Sequence, residues 1–318
     1  MFMRVCLLFI CLSLNFAALK GQNSSRSTEV EIRNDNDMYL FMLQDQYYTN
    51  GLFINIRKIV DASKLKDREL NRLMEIQIGH EMYNAYTAQI DSIEAVDRPI
   101  SAHLYLSASL HHYFVGEDYL SYSLTVGSIG KRAFGEQLQA NLHDLLNMYH
   151  AAGWEFQLNN AWTVDLGVQH NKMIGRTEHQ VLDFSWQSSA KLGNHHINLK
   201  TGPLFRLGRL SAFDQSAHFG GRIQARGTPT RNEWYLFYRP EVSAVFYDGT
   251  MQGGMWLKDK GPITAKPYPF RISNNFGAII SNDRLTFQMQ YYFNTKESAQ
   301  SRFRHQYGSI SLAYRFGQ

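Results

Sequence analysis

Residues 120–126 read Leu-Ser-Tyr-Ser-Leu-Thr-Val, with a large apolar side chain at every second position and a small polar one between. Successive side chains of a β-strand point to opposite faces, so this stretch predicts a strand with one apolar and one polar face. The same alternation recurs at 182–187, 285–291 and 309–316. The chain is therefore predicted to be an all-β protein.

Two all-β architectures fit this pattern: a sandwich that packs its apolar faces inward, and a membrane barrel that turns them to lipid. Aromatic residues are abundant (20 Phe, 18 Tyr and 5 Trp) and often fall at strand ends, as the girdles of a membrane barrel require. The chain also closes on Tyr314-Arg315-Phe316, which is similar to the terminal insertion signal of outer-membrane proteins, although Gly317 and Gln318 follow it. We therefore predict a transmembrane antiparallel β-barrel in the bacterial outer membrane.

Thirteen segments have strand character. They are 28–38, 49–58, 73–82, 102–113, 118–128, 153–160, 162–172, 179–190, 195–207, 233–247, 270–280, 284–294 and 305–316. Single-chain bacterial barrels have an even number of strands. One segment is thus not a strand, or two form one, and 153–172 is the most ambiguous region. Twelve strands are expected.

The first 21 residues are predicted to be a secretory signal peptide. Arg4 provides the positive charge, and the apolar run 5–18 is shorter than the roughly 20 residues of a membrane-spanning helix. Cys6 and Cys11 both lie in this run, so the predicted mature barrel, 22–318, has no thiol for a disulfide or a zinc–thiolate site. The net charge of +4 is spread along the chain, which gives no support for nucleic-acid binding.

One segment, 131–149, departs from the alternation and has helical spacing. Its apolar positions form a stripe: Phe134, Leu138, Leu142, Leu145 and Leu146. Glu136, Gln139 and His143 are spaced i, i+3 and i+7, so they share a face beside that stripe. Counting strands from a periplasmic N terminus places this helix in the third extracellular loop.

A second polar cluster joins the first two strands. Asn34-Asp35-Asn36-Asp37 ends the first strand, and the run 45–51, Asp-Gln-Tyr-Tyr-Thr-Asn-Gly, leads into the second. Crowded carboxylates and amides are costly to bury without partners, and such oxygen-rich clusters suit a hard cation such as calcium. The same strand count places this cluster on the extracellular side, together with the helix. Alternatively, it is a solvated strand end with Asx turns.

Four features, in this order, carry a resemblance to a known family. They are the Asn-Asp pair ending strand one, the run 45–51, the segment Asp97-Arg98-Pro99, and Gly135-Glu136…Gln139…His143 followed by Gly153-Trp154. Together they resemble the LpxR-type lipid A 3′-O-deacylases of the outer membrane. Where that family has Tyr-Ala-Gly after the Pro, this chain has Ile-Ser-Ala at 100–102. The family pair is matched to Asn36-Asp37, because Tyr39 then falls at the family's aromatic position; Asn34-Asp35 is the alternative.

The resemblance implies a monomeric, calcium-dependent barrel that hydrolyses the 3′-linked acyloxyacyl ester of lipid A, with lipopolysaccharide of the outer leaflet as its partner. It implies that His143 is the general base, since imidazole titrates near neutral pH, and that Asp37 binds Ca2+. Asn36, Thr49 and the backbone near Gly51 are expected to orient water or donate to the oxyanion. From helical spacing, we also expect Glu136 or Gln139 to fix the tautomer of His143.

Alternative functions are a phospholipase-type acyl hydrolase on the same scaffold and a non-enzymatic porin or binding barrel. Asp97-Arg98-Pro99 is expected to form a structural ion pair within its loop. The pairs His111-His112 and His195-His196 are interpreted as interfacial or turn residues and are not assigned to a metal. No Gly-x-Ser-x-Gly motif is present, so a serine hydrolase has no support.

Overall fold

The computed structural model describes residues 26–40, 46–87, 90, 92–147, 152–224 and 231–317. The predicted signal peptide lies outside these ranges. Twelve antiparallel strands form a closed barrel, in which each strand pairs with its sequence neighbours and the last pairs with the first. They are β1 (Thr28–Asn36), β2 (Tyr48–Ile59), β3 (Glu69–Tyr83), β4 (Ser101–Phe114), β5 (Asp118–Ile129), β6 (Ala161–Arg176), β7 (Leu182–Gly193), β8 (His196–Arg209), β9 (Glu233–Asp248), β10 (Phe270–Ser281), β11 (Leu285–Asn294) and β12 (His305–Phe316). The predicted barrel and its twelve strands are confirmed.

The thirteenth predicted strand, 153–160, is wrong. This stretch contains a 3-10 turn at Trp154–Phe156, which follows Gly153 in the left-handed region (φ 96°). The amide of Phe156 donates to the carbonyl of Gly153 (2.9 Å), so the chain curls where a strand would be extended. Trp154 is buried, so its apolar character reflects packing above the barrel and not contact with lipid.

Alternation along the strands separates a lipid face from a lumen face. Outward side chains such as Ile32, Ile54 and Ile78 are exposed and apolar. Inward side chains include Arg57, whose guanidinium contacts the carboxylates of three glutamates on β1 and β3, Glu29 (2.7 Å), Glu31 (2.6 Å) and Glu75 (2.5 Å). Charges removed from bulk water need such multiple partners, because desolvation alone would be unfavourable.

The periplasmic end of the lumen is filled by the connection between β8 and β9. In the segment 210–224, Phe213, Phe219 and Ile223 pack in one apolar cluster with Tyr113 and Tyr235 of the strands. Polar contacts fasten the segment, since the side-chain amide of Asn71 donates to the carbonyl of Ile223 (2.7 Å) and the hydroxyl of Tyr113 donates to that of Phe219. Both are buried contacts between the barrel wall and the segment 210–224, which we call the plug.

Two helices lie in the extracellular connections, α1 (Gly135–Leu146) after β5 and α2 (Gly249–Gln252) after β9. The predicted helix at 131–149 is confirmed in its central part. It is preceded by a 3-10 turn at Lys131–Ala133, and its last predicted residues lie outside the described ranges. In the part of the chain that the structure describes, no helix has the length and apolarity needed to cross a membrane.

Candidate active site on the outer wall

A β-bulge places Thr49 on the outer wall. In the pairing of β2 with β3, Tyr48 lies opposite Tyr83 and Asn50 opposite Met82, so Thr49 is the extra residue. Tyr48 points into the lumen, where its hydroxyl donates to Asp35 Oδ2 (3.1 Å). The Thr49 hydroxyl instead donates to the carbonyl of Met82 (3.5 Å). Bulges often re-aim side chains in this way beside functional sites.

Helix α1 packs directly against the outer wall. A Cβ added to Gly135 would lie 2.5 Å from Ala102 Cβ and 2.4 Å from the Trp154 ring, so only glycine allows this approach. His80, which follows the outward Ile78 by two positions on β3, contacts the carbonyl of Ala133 through Nε2 (2.7 Å). The start of the helix therefore lies directly against the extracellular ends of β3 and β4.

A chain of buried hydrogen bonds joins the helix to the wall. Gln139 Oε1 accepts from Trp154 Nε1 (2.7 Å) and from Asn84 Nδ2 (3.2 Å). Asn84 Nδ2 also donates to Thr49 Oγ1 (3.4 Å), so one amide joins the helix to the bulge. His143 lies one turn after Gln139 and is buried as well.

The helix turns its polar face inward. Gln139 and His143 are buried, whereas Phe134 and Leu145 of the predicted apolar stripe are 57% and 75% exposed. Only part of the stripe packs against the barrel: Leu138 contacts the apolar cluster that contains Met82, Ala102 and Trp154. Glu136, from the same predicted polar face, lies exposed at the start of the helix, so its proposed contact with His143 stays a prediction.

Asp37 lies at the rim beside the bulge. The pairing of β1 with β2 sets Asn36 opposite Asn50, and Asp37 begins a 3-10 turn that ends β1. Asn36 Oδ1 accepts from the amide of Met38 (2.8 Å) in an Asx turn, and Asp37 Oδ2 accepts from the amide of Gln46 (2.8 Å). The segment 41–45, with Asp45, lies outside the described ranges.

The alternative pair, Asn34-Asp35, is divided between the two sides of the wall. Asp35 lines the lumen, whereas Asn34 donates through Nδ2 to the carbonyl of Gly51 (2.9 Å). Asn34 Oδ1 accepts from the hydroxyl of Tyr39 (2.7 Å), so Tyr39 packs beside this strand. Of the two aspartates, Asp37 therefore lies beyond the end of the strand and Asp35 within it.

The predicted ion pair within the loop Asp97-Arg98-Pro99 is wrong, because Arg98 pairs with a residue of another loop. Arg98 is fully buried and pairs with Glu297, 199 residues away (Nε–Oε2 2.7 Å), whose pKa is held well below its usual range by the charge of Arg98 in spite of burial. Asp97 accepts from the hydroxyl of Tyr47 (2.6 Å) and from the amide of Arg302 (2.9 Å). Burial and then the hydrogen bond to Asp97 raise the pKa of Tyr47. The motif is structural, and it ties three extracellular loops together.

A separate histidine cluster faces the lumen at the hairpin between β7 and β8. The rings of His103 and His195 lie 4.1 Å apart, and those of His195 and His196 lie 4.2 Å apart. Both ring nitrogens of His195 are buried and have no hydrogen-bond partner among the described residues. Burial, and then the charges of the neighbouring histidines, lower the pKa of His195 well below its usual value.

Asn84 is the contact residue that sequence reasoning missed. It directly follows β3, it is buried, and its backbone amide donates to the carbonyl of Tyr47 (2.8 Å). A lone asparagine after a strand reads as an ordinary turn residue, so only the three-dimensional arrangement identifies it.

These features define a bacterial outer-membrane β-barrel that carries a buried polar site between an extracellular helix and its outer wall. A family model described as outer membrane protein LpxR matches residues 5–316. The chain therefore belongs to the LpxR family of outer-membrane proteins.

A solved structure agrees with this fold. LpxR from Salmonella typhimurium matches with a TM-score of 0.73 at 19% sequence identity, over 91% of this chain and 100% of that one. The β domain of the Bordetella autotransporter BrkA matches with a TM-score of 0.46 at 10% identity, over 93% of this chain and 99% of that one. Comparison with curated protein sequences gives no match.

Proposed function

We propose that this protein is a lipid A deacylase that hydrolyses the 3′-linked acyloxyacyl ester of lipid A. Membership of the LpxR family supports the substrate class. The observation that carries the proposal is the buried chain from Thr49 through Asn84 to Gln139, with His143 one turn away. Polar groups held together between a helix and a lipid-facing wall are suited to an ester that arrives from the membrane.

The lipid face below the site supports access from the leaflet. Leu52, Ile54 and Ile56 are exposed on β2, and Ile32 is exposed on the adjacent β1. At about 3.3 Å per residue, the stretch from Asn50 to Ile56 provides an apolar track about 20 Å long. An acyl chain lying along this track would bring its ester to the level of Thr49 and Asn36.

The chemistry uses groups at the upper end of that track. His143 accepts a proton from water as the water oxygen attacks the ester carbonyl. The side-chain amide of Asn36 and the backbone near Gly51 are the proposed donors to the oxyanion. Thr49 Oγ1 is the proposed acceptor that orients the attacking water. His143 then returns the proton to the sugar oxygen when the ester bond breaks. The carboxylic acid formed is the acyloxyacyl chain.

A calcium ion fits the donors at the rim. Asp37 contributes a buried carboxylate, and Gln46 Oε1 is a buried amide oxygen without a hydrogen-bond partner among the described residues. Calcium prefers such oxygen ligands, including amide carbonyls. Within the described ranges, no three His, Cys, Asp or Glu side chains are arranged to hold a metal. We propose that Asp37 and Gln46 hold Ca2+, which when bound would polarise the ester carbonyl.

The roles proposed for Glu136 and Gln139 differ. Gln139 receives two hydrogen bonds at Oε1, which fix its side chain and the face of α1 that it shares with His143. We propose that Gln139, in preference to the exposed Glu136, orients the imidazole of His143. A direct catalytic role for Glu136 remains an open prediction.

The plug argues against the porin alternative. Among the described residues, the segment 210–224 places buried aromatic side chains at the periplasmic end of the lumen, where a porin would need an open polar passage. A phospholipase-type hydrolase would use the same groups on a different head group, so experiment must separate it from the lipid A deacylase.

Mass spectrometry of lipid A incubated with the refolded barrel tests the proposal. The incubations contain calcium or a chelator, and parallel samples contain phospholipid or the His143→Ala variant. Calcium-dependent loss of one acyloxyacyl unit that is abolished in the variant is the expected result. Intact lipid A with a folded barrel would refute it, and release of fatty acid from phospholipid instead would favour the phospholipase.

A further inference from the structure

A patch of exposed cations and aromatic rings lies at the extracellular ends of β5 and β6, away from the candidate site. We call it the basic–aromatic patch. Its members are Lys131, Arg132, Phe134, Trp162, Trp256 and Lys258, all exposed.

Three chain segments meet to form the patch. The amide of Arg132, in the turn before α1, donates to Asn160 Oδ1 (2.8 Å). The amide of Asn159 donates to the carbonyl of Lys260 in the β9–β10 connection (3.1 Å). These contacts hold the root of α1, the start of β6 and the β9–β10 connection together.

In the part of the chain that the structure describes, the two tryptophans are largely uncovered. Trp256 is 80% exposed and Trp162 is 68% exposed. Trp256 lies two residues after Gly254, whose backbone touches Ala161, the neighbour of Trp162. Below Trp162, Val164 and Leu166 continue the lipid face of β6. Indole rings at the upper edge of a lipid face suit the boundary between acyl chains and head groups.

The cations beside these rings are available to a ligand. Among the described residues, Lys131, Arg132 and Lys258 have no carboxylate within ion-pair distance. Three carboxylates lie nearby in sequence. Glu136 is exposed on α1, whereas Glu155 accepts from the amide of Gly153 (3.1 Å) and Asp259 accepts from the amide of Gly261 (3.1 Å), each within its own turn. None of them pairs with the three cations among the described residues, so the patch is complementary to an anionic head group.

We propose that the basic–aromatic patch binds the phosphorylated head group of a second lipopolysaccharide molecule, in addition to the one proposed at the candidate site. The patch lies at the start of α1, whereas His143 lies eight residues into the helix, about 12 Å along its axis. One head group with its ester at His143 would have to extend over this distance to reach both. The number of lipid sites rests on the proposed function, because the first lipopolysaccharide molecule is the proposed substrate; binding at the patch itself does not.

Native mass spectrometry that counts bound lipids tests this inference. The probe is bisphosphorylated lipid A, added to detergent-solubilised His143→Ala barrel so that it is not consumed. The patch variant carries Lys131→Gln, Arg132→Gln and Lys258→Gln. The matched control carries Lys64→Gln, Lys66→Gln and Arg68→Gln, which remove the same charges from the exposed periplasmic turn between β2 and β3.

We expect two lipids on the parent and the control, and one on the patch variant. The lost site should weaken on the order of tenfold to a hundredfold when three cations are removed. Equal counts on the patch and control variants would overturn the inference. Equal binding of dephosphorylated lipid A, or of phosphatidylglycerol, would overturn the head-group assignment.

The two proposals fail separately. If wild-type protein leaves lipid A intact but the patch variant still binds one lipid fewer, the patch stands without the deacylase. If hydrolysis proceeds and the counts do not differ, the deacylase stands without the patch.

Discussion

Replacement of Asn84 by alanine should slow hydrolysis without weakening substrate binding. The Asn84 amide donates to Gln139 Oε1 (3.2 Å) on the helix and to Thr49 Oγ1 (3.4 Å) on the bulge. A net contribution of about 1 kcal/mol per hydrogen bond is typical, and both are long, so their loss removes about 1–2 kcal/mol of alignment. If the alignment matters only in the transition state, kcat falls about 5- to 30-fold. KM stays unchanged, because Asn84 lies behind the groups that face the substrate.

The assay is the rate of acyloxyacyl release from lipid A in mixed micelles, followed by mass spectrometry. The matched control is Asn171→Ala, since Asn171 is an equally buried asparagine that donates to Gln187 Oε1 (3.3 Å) on the far side of the barrel. Hydrogen exchange of α1 provides a readout independent of activity and should rise only in the Asn84 variant. Equal kcat values for the two variants would refute the positioning role of Asn84.

Three further predictions concern metal binding and pH. Asp37→Asn should raise the calcium concentration for half-maximal hydrolysis at least tenfold, and an unchanged calcium titration would remove Asp37 from the metal site. His195 has its pKa held well below about 6.5 by burial, so the unfolded chain binds a proton that the barrel excludes, and stability falls as pH drops below about 6.5. His195→Leu should therefore be at least as stable at pH 8 and flatten the fall in melting temperature between pH 7 and 5; parallel curves would contradict this. Because Arg98 lowers the pKa of Glu297, that pair stabilises the fold above the ordinary glutamate range and its contribution is lost as pH falls through the depressed pKa. Glu297→Gln should cost about 3 kcal/mol or more in chemical unfolding at pH 5–8 and less below pH 4, whereas a constant deficit would exclude the ion pair as its cause.

The barrel could be predicted from the sequence because its strands repeat one local rule. Side chains such as Leu124 and Leu166 alternate with small or polar residues, and the lipid outside the barrel makes this alternation strict. The stretch 153–160 misled the prediction, because Trp154 and Leu158 are apolar for contacts above the barrel. Local spacing does not distinguish these two reasons for an apolar residue.

The contacts of the site could be predicted only in part. Gln139 and His143 were placed on one face by helical periodicity, and both are buried there. The pairing of Arg98 with Glu297 spans 199 residues, and Asn84 meets Gln139 across 55 residues. Which residues so far apart in the chain meet depends on how the barrel closes and how its loops fold. Local periodicity contains no information about either.

The orientation of α1 connects the fold to the proposed substrate. Gln139 and His143 face the wall, and Leu138 packs beside them, whereas Phe134 and Leu145 remain outside. Unpaired polar groups are costly next to hydrocarbon. At the edge of the leaflet, the polar face of α1 is therefore buried against the wall, and its exposed apolar side chains can contact lipid. Consequently the proposed base is shielded both from bulk water and from the hydrocarbon. In the deacylase proposed here, only an ester that already lies against the wall of β1 and β2 would reach His143. The enzyme would therefore recognise its substrate partly by the position of the ester in the membrane.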